Sequence, residues 1–287
     1  MTASFACVVL TQGHRPAELQ LALDSLLRQK GVDVDVAVVG NGWEPSGLPD
    51  GVHGVALEMN VGIPGGRNAG VPGTRGELLF FLDDDASLAS DNALARVAEQ
   101  FADQGLGLLQ LRVTPRAGGQ PRRDWVPRLR VGDPARSSDV TAVWEGAVAM
   151  PRRVFDEVVG WPAEFRHAHE GIDLAWRVMD AGYRVRYAGD VVALHPAQTE
   201  PMPHGYSFYF GARNRVWLAR RHLPLPLGIL YVLMFALRTV PRLRSAHALR
   251  EAARGYRDGM RGPCGKRRKL RFQTLVRMTL AGRPPII

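Results

Sequence analysis

The chain has 287 residues, 46% hydrophobic and 23% charged, enough to bury a full core in one large domain or one domain with an appendage. Its net charge of +9 is uneven: residues 242–287 carry thirteen Lys or Arg against Glu251 and Asp258, a net of +11 that leaves residues 1–241 at −2. A basic tail whose stretch 242–271 holds one aromatic, Tyr256, argues against nucleic-acid binding, and two distant cysteines, Cys7 and Cys264, argue against a disulfide framework or a cysteine metal site and fit a reducing, cytosolic setting.

In chain order, MTASFACVVL enters an apolar strand (FACVVL, 5–10) with no basic leader before it, so no secretory signal is expected. Leu19, Leu23, Leu26 and Leu27 then repeat at helical spacing from a Pro16 start. VDVAVV (34–39) and LLFFL (78–82) read as further strands, a helix carrying Leu94, Val97 and Phe101 opens at Ser90 or Asp91, and LGLLQLRV (106–113) is another strand. Apolar strands alternating with amphipathic helices predict an α/β fold, a mostly parallel sheet covered on both faces. Ligands of such sheets sit beyond the carboxyl ends of the strands, which directs attention to residues 11–15, 40–43 and 83–85.

Residues 115–139, rich in Pro, Gly, Arg and Asp, read as a long mobile loop. The apolar stretch TAVWEGAVAM follows, then helices over 152–159 and 173–181 and strands at RVRYA and DVVALH. LPLPLGILYVLMFALRTV (223–240) is interrupted by Pro224, Pro226 and Arg238 and falls short of the roughly 20 residues a spanning helix needs. With the basic tail behind it, it reads as an interfacial membrane contact or as a helix packed on the domain.

The chemistry begins where LLFFL runs into Asp83, Asp84 and Asp85. Three carboxylates at the mouth of a sheet repel one another unless a cation compensates them, and hard Mg²⁺ or Mn²⁺ takes carboxylate oxygens together with phosphates. In an extended segment Asp83 and Asp85 share one side while Asp84 points away, towards the sheet or solvent. An acidic cap before the next helix is the simpler alternative, but a cap needs one Asp. Upstream, NVGIPGGRNAGVPGTRGE (60–77) carries six glycines and Arg67, and reads either as a phosphate-approaching turn or as a flexible connection. It matches neither dinucleotide fingerprint.

Taken together and in order, the T-x-x-x-R turn after the first strand, V-x-N-G after the second, N-x-G-x-x-x-G-R-N-x-G, D-D-D, and E-x-x-D-L-x-x-R-x-x-x-x-G (Glu170 to Gly182) resemble a family 2 glycosyltransferase of the GT-A fold. The resemblance covers roughly residues 4–222, making 1–222 the expected catalytic domain and 223–287 a helical, membrane-associating or packing extension. It implies a nucleotide-sugar donor (UDP-, dTDP- or GDP-linked) bound by Thr11, Arg15, Asn41, Asn60, Gly66, Arg67, Asn68, Asp83 and Asp84. It also implies Mn²⁺ or Mg²⁺ on Asp83, Asp85 and His195, and an acceptor pocket at Trp144 and Glu145. For His195, a satisfied histidine at a strand end is an equal alternative.

The resemblance further implies inverting transfer by direct displacement, to a glycan, lipid-linked or small-molecule acceptor of the cell-envelope kind, at the inner face of the membrane. Segment 206–215 (YSFYFGARNR) matches the aromatic and R-N region of membrane-associated relatives. Two departures stand out. Gly40 occupies the place of an Asp that contacts the nucleobase, and Gly171 that of the Asp serving as base in E-D-x-D. Glu170 is then the first candidate base and Asp173 the second, with helix capping the plainer role for Asp173. His167 and His169 read as polar loop residues. A nucleotidyltransferase and a non-catalytic nucleotide-sugar-binding protein remain competing functions.

Overall fold

A computed structural model describes residues 2–197 and 206–285. The chain runs β1 (Ala3–Thr11), α1 (Pro16–Leu27), β2 (Val32–Asn41), β3 (Val52–Leu57), α2 (Ile63–Gly70), β4 (Leu78–Asp83), β5 (Ser87–Leu88), α3 (Ala93–Gln100) and β6 (Leu106–Pro115). It continues with β7 (Ser138–Asp139), β8 (Ala147–Pro151), α4 (Arg152–Glu157), α5 (Glu170–Asp180) and β9 (Arg184–His195). Four helices follow: α6 (Tyr206–His222), α7 (Leu225–Thr239), α8 (Ala246–Arg261) and α9 (Phe272–Leu280).

The strands form one sheet in the order β3-β2-β1-β4-β8-β6-β9-β5, with β7 on β9. The β3-β2-β1-β4 half is parallel, as the alternation of strands and helices predicts. β8 is inserted antiparallel between β4 and β6, so its first residues, not its last, arrive at the mouth where β4 ends. RVRYA and DVVALH are one strand, β9, whose register on β6 shifts between Leu111 and Arg112, the irregularity of a bulge.

Alternate residues of β1 and β4 enter different cores, as period-2 side chains must. Phe5, Cys7, Val9, Phe80 and Leu82 pack with α1 and α3, while Ala6, Val8, Leu79 and Phe81 join α4, α5 and the C-terminal helices. Tyr231 of α7 and Met278 of α9 belong to this second core, around Trp176. The 223–287 extension is therefore packed onto the domain through one face of its helices.

Two features departed from the sequence reading. The glycine-rich run contains α2, two of whose glycines face the sheet: a Cβ on Gly66 would lie 2.3 Å from Leu10, and one on Gly70 would lie 2.5 Å from Val8. Helix propensity alone disfavours glycine, but here it is what allows the helix to lie so close. The 115–139 segment is anchored, since Trp125 and Val126 are buried and the Gln110 side chain donates to the Trp125 carbonyl at 2.7 Å.

Candidate active site

β4 delivers the acidic cluster. The Asp83 N–H donates to the Gly146 carbonyl at 2.9 Å, extending the β4–β8 ladder by one residue and setting the start of β8 beside the aspartates. Asp83, Asp85 and His195, the last residue of β9, offer one ligand atom each within 4.8 Å of one another. His195 Nε2 lies 3.0 Å from Asp85 Oδ1, and its Nδ1 lies 2.9 Å from the Pro196 carbonyl. The carbonyl beside Nδ1 keeps a proton there, so Nε2, which donates to Asp85, is the nitrogen that would exchange its proton for a cation. Two carboxylates and an imidazole suit Mn²⁺, and Mg²⁺ less well, so the residues present fit the expected cation. The rings of Trp125 and Trp144 meet His195 edge-on at 5.3 and 5.2 Å. Gly146 leaves room for this wall, because a Cβ there would lie 1.9 Å from the Trp144 ring.

Burial opposes ionisation of Asp85, but the hydrogen bond and charge of His195 and the charge of Arg15 outweigh it and hold its pKa below the usual carboxylate range. His195 is raised in turn: burial alone would lower it, and Asp85 more than compensates. Asp84 points to the sheet side. Its carboxylate accepts from Thr11 Oγ1 at 2.6 Å and from Arg15 at 2.8 Å, and Arg15 also pairs with Asp85. Burial pushes Asp84 up to about 6 despite these partners. Thr11, Arg15 and Asp84 are thus brought together at the end of β1.

On the other flank, Arg67 of α2 donates to Asp83 at 2.7 Å and lies over the Trp161 ring at 5.0 Å. Its Nη1 is buried without a hydrogen-bond partner, a donor left over for a ligand. Arg67 also faces Glu145 and Glu170. Glu145 Oε1 accepts from the Gly171 N–H at 2.6 Å. Burial first, and the charge of Glu145 second, push the Glu170 carboxyl up to about 8. Burial likewise raises Glu145, against the charge of Arg67 and the Gly171 hydrogen bond. A Cβ at residue 171 would sit 2.5 Å from Glu145 Oε1, so the glycine that breaks the expected pattern makes room for a carboxylate from elsewhere in the chain.

The segment entering α5 is strained. Arg166, Ala168 and His169 all have φ between 60° and 67°, conformations that non-glycine residues hold only when their surroundings impose them. Asn214, fully buried in α6, supplies the clamp: its Nδ2 donates to the carbonyls of Phe165, His167 and Ala168 at 3.0, 2.7 and 2.8 Å. Arg213 adds bonds to Glu164 and Phe165. His169 is more than a polar loop residue, since its half-buried ring lies 3.2 Å from the Gly211 carbonyl and desolvation lowers its pKa well below the ordinary value.

Asp173, one turn beyond Glu170, does not open to the cleft. It is fully buried and binds Arg177 at 2.6 Å and His222 at 2.7 Å, with Arg221 at 3.6 Å. Burial would raise its pKa, but these cations hold it well below the usual range. The expectation of Asp173 as an alternative base meets a carboxylate already saturated with cations.

The remaining donor-binding expectations divide. Asn41 Oδ1 accepts from the Val61 N–H at 2.8 Å, its Nδ2 donates to Asn60 Oδ1 at 3.1 Å, and Asn60 in turn holds the Gly62 N–H at 2.8 Å and Gln12 at 3.1 Å. Both asparagines therefore shape the turn at the ends of β1 and β2. Gly66 is turned to Leu10, and Asn68 is locked to the Trp161 backbone in both directions at 2.9 Å, so these two position α2 instead of facing the cleft. At Gly40 a Cβ would lie 1.9 Å from the Trp43 carbonyl, which excludes an aspartate there. The Trp43 indole instead packs over Gly13 between β1 and β2, where a Cβ would lie 2.5 Å from the ring. Sequence reasoning missed Trp125, and reached Trp43 and Asn214 only as members of the segments 40–43 and 206–215.

A sheet with an acidic cluster and a histidine at its open end defines the GT-A class of glycosyltransferase, and three solved structures share this fold. S. aureus TarS 1–349 has a TM-score of 0.59 at 15% identity, over 90% of this chain and 81% of that one. GalNAc-T7 with UDP, GalNAc and Mn²⁺ has 0.64 at 13%, over 91% and 56%. The mannosyltransferase PcManGT from Pyrobaculum calidifontis, in complex with GDP-Man and Mn²⁺, has 0.55 at 18%, over 92% and 77%. No curated protein matches the sequence. Residues 78–241 match the model of Glycosyl transferase family group 2, and the chain belongs to that family: it is a glycosyltransferase.

Proposed function

We propose that the protein transfers a sugar from a nucleoside-diphosphate donor to an acceptor hydroxyl, with inversion and with a divalent cation bound by Asp83, Asp85 and His195. The observation that carries this reading is the grouping of those three ligands beside Arg67, whose Nη1 has no protein partner. The cation, Mn²⁺ or Mg²⁺, would stabilise the charge of the departing diphosphate. Arg67 offers its free N–H to the same anion. Thr11, Arg15 and Asp84 line the nucleotide end, with Asn41 and Asn60 shaping the turn beside it, and Trp144 walls the sugar side.

The acceptor proton goes to the carboxylate pair of Glu145 and Glu170 as the acceptor oxygen attacks the anomeric carbon and the bond to the diphosphate breaks. A thermal-shift panel of UDP-, GDP- and dTDP-sugars with and without Mn²⁺ tests the reading, with nucleoside triphosphates as the arm for a nucleotidyltransferase. Donor at a hundredfold excess over its Kd adds about 2.7 kcal/mol of stability. A chain stabilised by none of the sugars would not be such a transferase.

The acceptor is proposed to be lipid-linked or a cell-envelope glycan, and the site of action the inner face of the membrane. Among the described residues no helix is long and apolar enough to cross a bilayer. On α7, however, Leu225, Ile229, Leu233 and Leu237 form an exposed stripe at four-residue spacing, and α9 exposes Phe272, Val276 and Leu280. Arg244, Lys266 to Lys269 and Arg271 supply the positive charge that anionic headgroups attract. Because the inner faces of α7 and α9 belong to the core, removing 223–287 would damage the fold. The sharper test replaces Leu225, Ile229, Leu233 and Leu237 with serine and measures flotation with phosphatidylglycerol-containing vesicles; unchanged flotation would remove the membrane from the proposal.

A further inference from the structure

Three acidic side chains, Asp83, Glu145 and Glu170, converge on one guanidinium, Arg67, which is itself buried. Arg67, already paired with Asp83 at 2.7 Å, does not balance two further carboxylates as well, Glu170 at 3% exposure and the half-buried Glu145, so one of the two glutamates holds a proton. The contacts of the two glutamates differ. Glu145 Oε1 takes the 2.6 Å hydrogen bond from the Gly171 N–H, which favours its ionised form. Glu170 Oε2 is buried with no hydrogen-bond partner. An unpartnered buried oxygen is a poor place for an anion and an acceptable place for a neutral carboxyl.

From this geometry we infer that Glu145, contributed by the segment leading into β8, is the ionised general base of the transfer, and that Glu170 is its protonated neighbour. This rests on the glycosyltransferase reading and sharpens it by choosing between the two carboxylates. In the step itself, Glu145 takes the proton of the acceptor hydroxyl, the hydroxyl oxygen forms the new bond to the anomeric carbon, and the electron pair of the broken bond leaves on the diphosphate. Glu170 keeps its proton throughout and shields Glu145 from a second negative charge. The groups that face Glu145 are Arg67 from α2, Asp83 from β4, and Gly171 and Glu170 from α5. Arg67, Asp83 and Gly171 persist when either glutamate is changed to its amide. Gly171 is part of the device, since a Cβ there would occupy the position of Glu145 Oε1.

The two amide variants separate the assignments because their losses differ in size. With whichever nucleotide sugar stabilises the protein in the presence of Mn²⁺, nucleoside-diphosphate release is measured for E145Q and E170Q, together with donor affinity. Glu145→Gln is expected to lower release by a factor of about 10²–10⁴, the usual contribution of a general base, with donor affinity within about twofold. Glu170→Gln, an amide in place of a neutral carboxyl, is expected to lower it about tenfold. The reverse ranking overturns the inference, and so do two equal losses or two fully active variants. Loss of donor binding in the parent protein would instead count against the glycosyltransferase reading. A measurement free of turnover completes the test: the infrared band of a protonated carboxyl, present in the parent protein, is expected to vanish in E170Q and persist in E145Q, and the opposite result overturns the assignment.

Discussion

Glu145 and Gly171 lie 26 residues apart, yet the Gly171 N–H donates to the Glu145 carboxylate at 2.6 Å and a Cβ at 171 would lie 2.5 Å from that oxygen and 2.5 Å from the Val143 carbonyl. Gly171→Ala is therefore expected to displace Glu145. Overpacking of this kind costs about 1–3 kcal/mol. A fall in Tm together with loss of diphosphate release would bear this out, and an alanine variant as stable and active as the parent would contradict the close approach.

Asp173 should behave as a stabilising anion. Leaving Arg177, His222 and Arg221 without their shared carboxylate by Asp173→Asn is expected to cost about 3–5 kcal/mol near pH 7. The folded pKa is held below 3.8, so this stability is present above 3.8 and lost as pH falls through the folded value. Urea unfolding of parent and variant should differ most at neutral pH and converge in acid; a gap that does not shrink would point to a different origin.

Glu170 titrates in the opposite sense. Its folded pKa of about 8 lies above the ordinary 4.5, so its contribution to stability is full below 4.5 and is lost as pH rises towards 8. Glu170→Gln removes that penalty. Its Tm relative to the parent should rise between pH 5 and pH 8, and a constant difference across this range would refute the burial of an ionisable Glu170.

For the cation site, Asp85→Asn and His195→Ala are expected to abolish the extra thermal stabilisation that Mn²⁺ gives in the presence of donor. Changing Cys264, remote from the site, should leave it intact. A Mn²⁺ shift that survives both site variants would place the ion elsewhere.

Asn214→Ala strips donors from the Phe165, His167 and Ala168 carbonyls, which hold the left-handed segment before Glu170. Leaving buried acceptors unsatisfied costs about 1–3 kcal/mol. Activity should fall more than stability alone explains, because α5 begins where that segment ends. Hydrogen exchange of residues 165–171 would show whether the segment has loosened.

Sequence alone determined much of this molecule. Apolar runs and heptad-like spacings located β1, β2, β4, β6, α1 and α3, because side-chain period reflects which face is buried. The aspartates at the end of β4 drew attention because the carboxyl ends of strands converge on one mouth, whereas His195, the last residue of β9, was suggested by the family resemblance alone. Several short elements escaped: β3, whose residues are half exposed, the two-residue β5 and β7, and α2, whose glycines argue for a turn until the sheet beneath them is known. Tertiary structure decided the rest. The antiparallel insertion of β8 turns its beginning towards the cleft and so brings Glu145 to Gly171. The packing of α6 sets His222 and Arg221 on Asp173 and closes it off, while Asn214 of the same helix holds the loop before Glu170. Such contacts between residues 26 to 49 positions apart leave no periodic trace, since they depend on strand direction and helix placement, which local spacing does not encode.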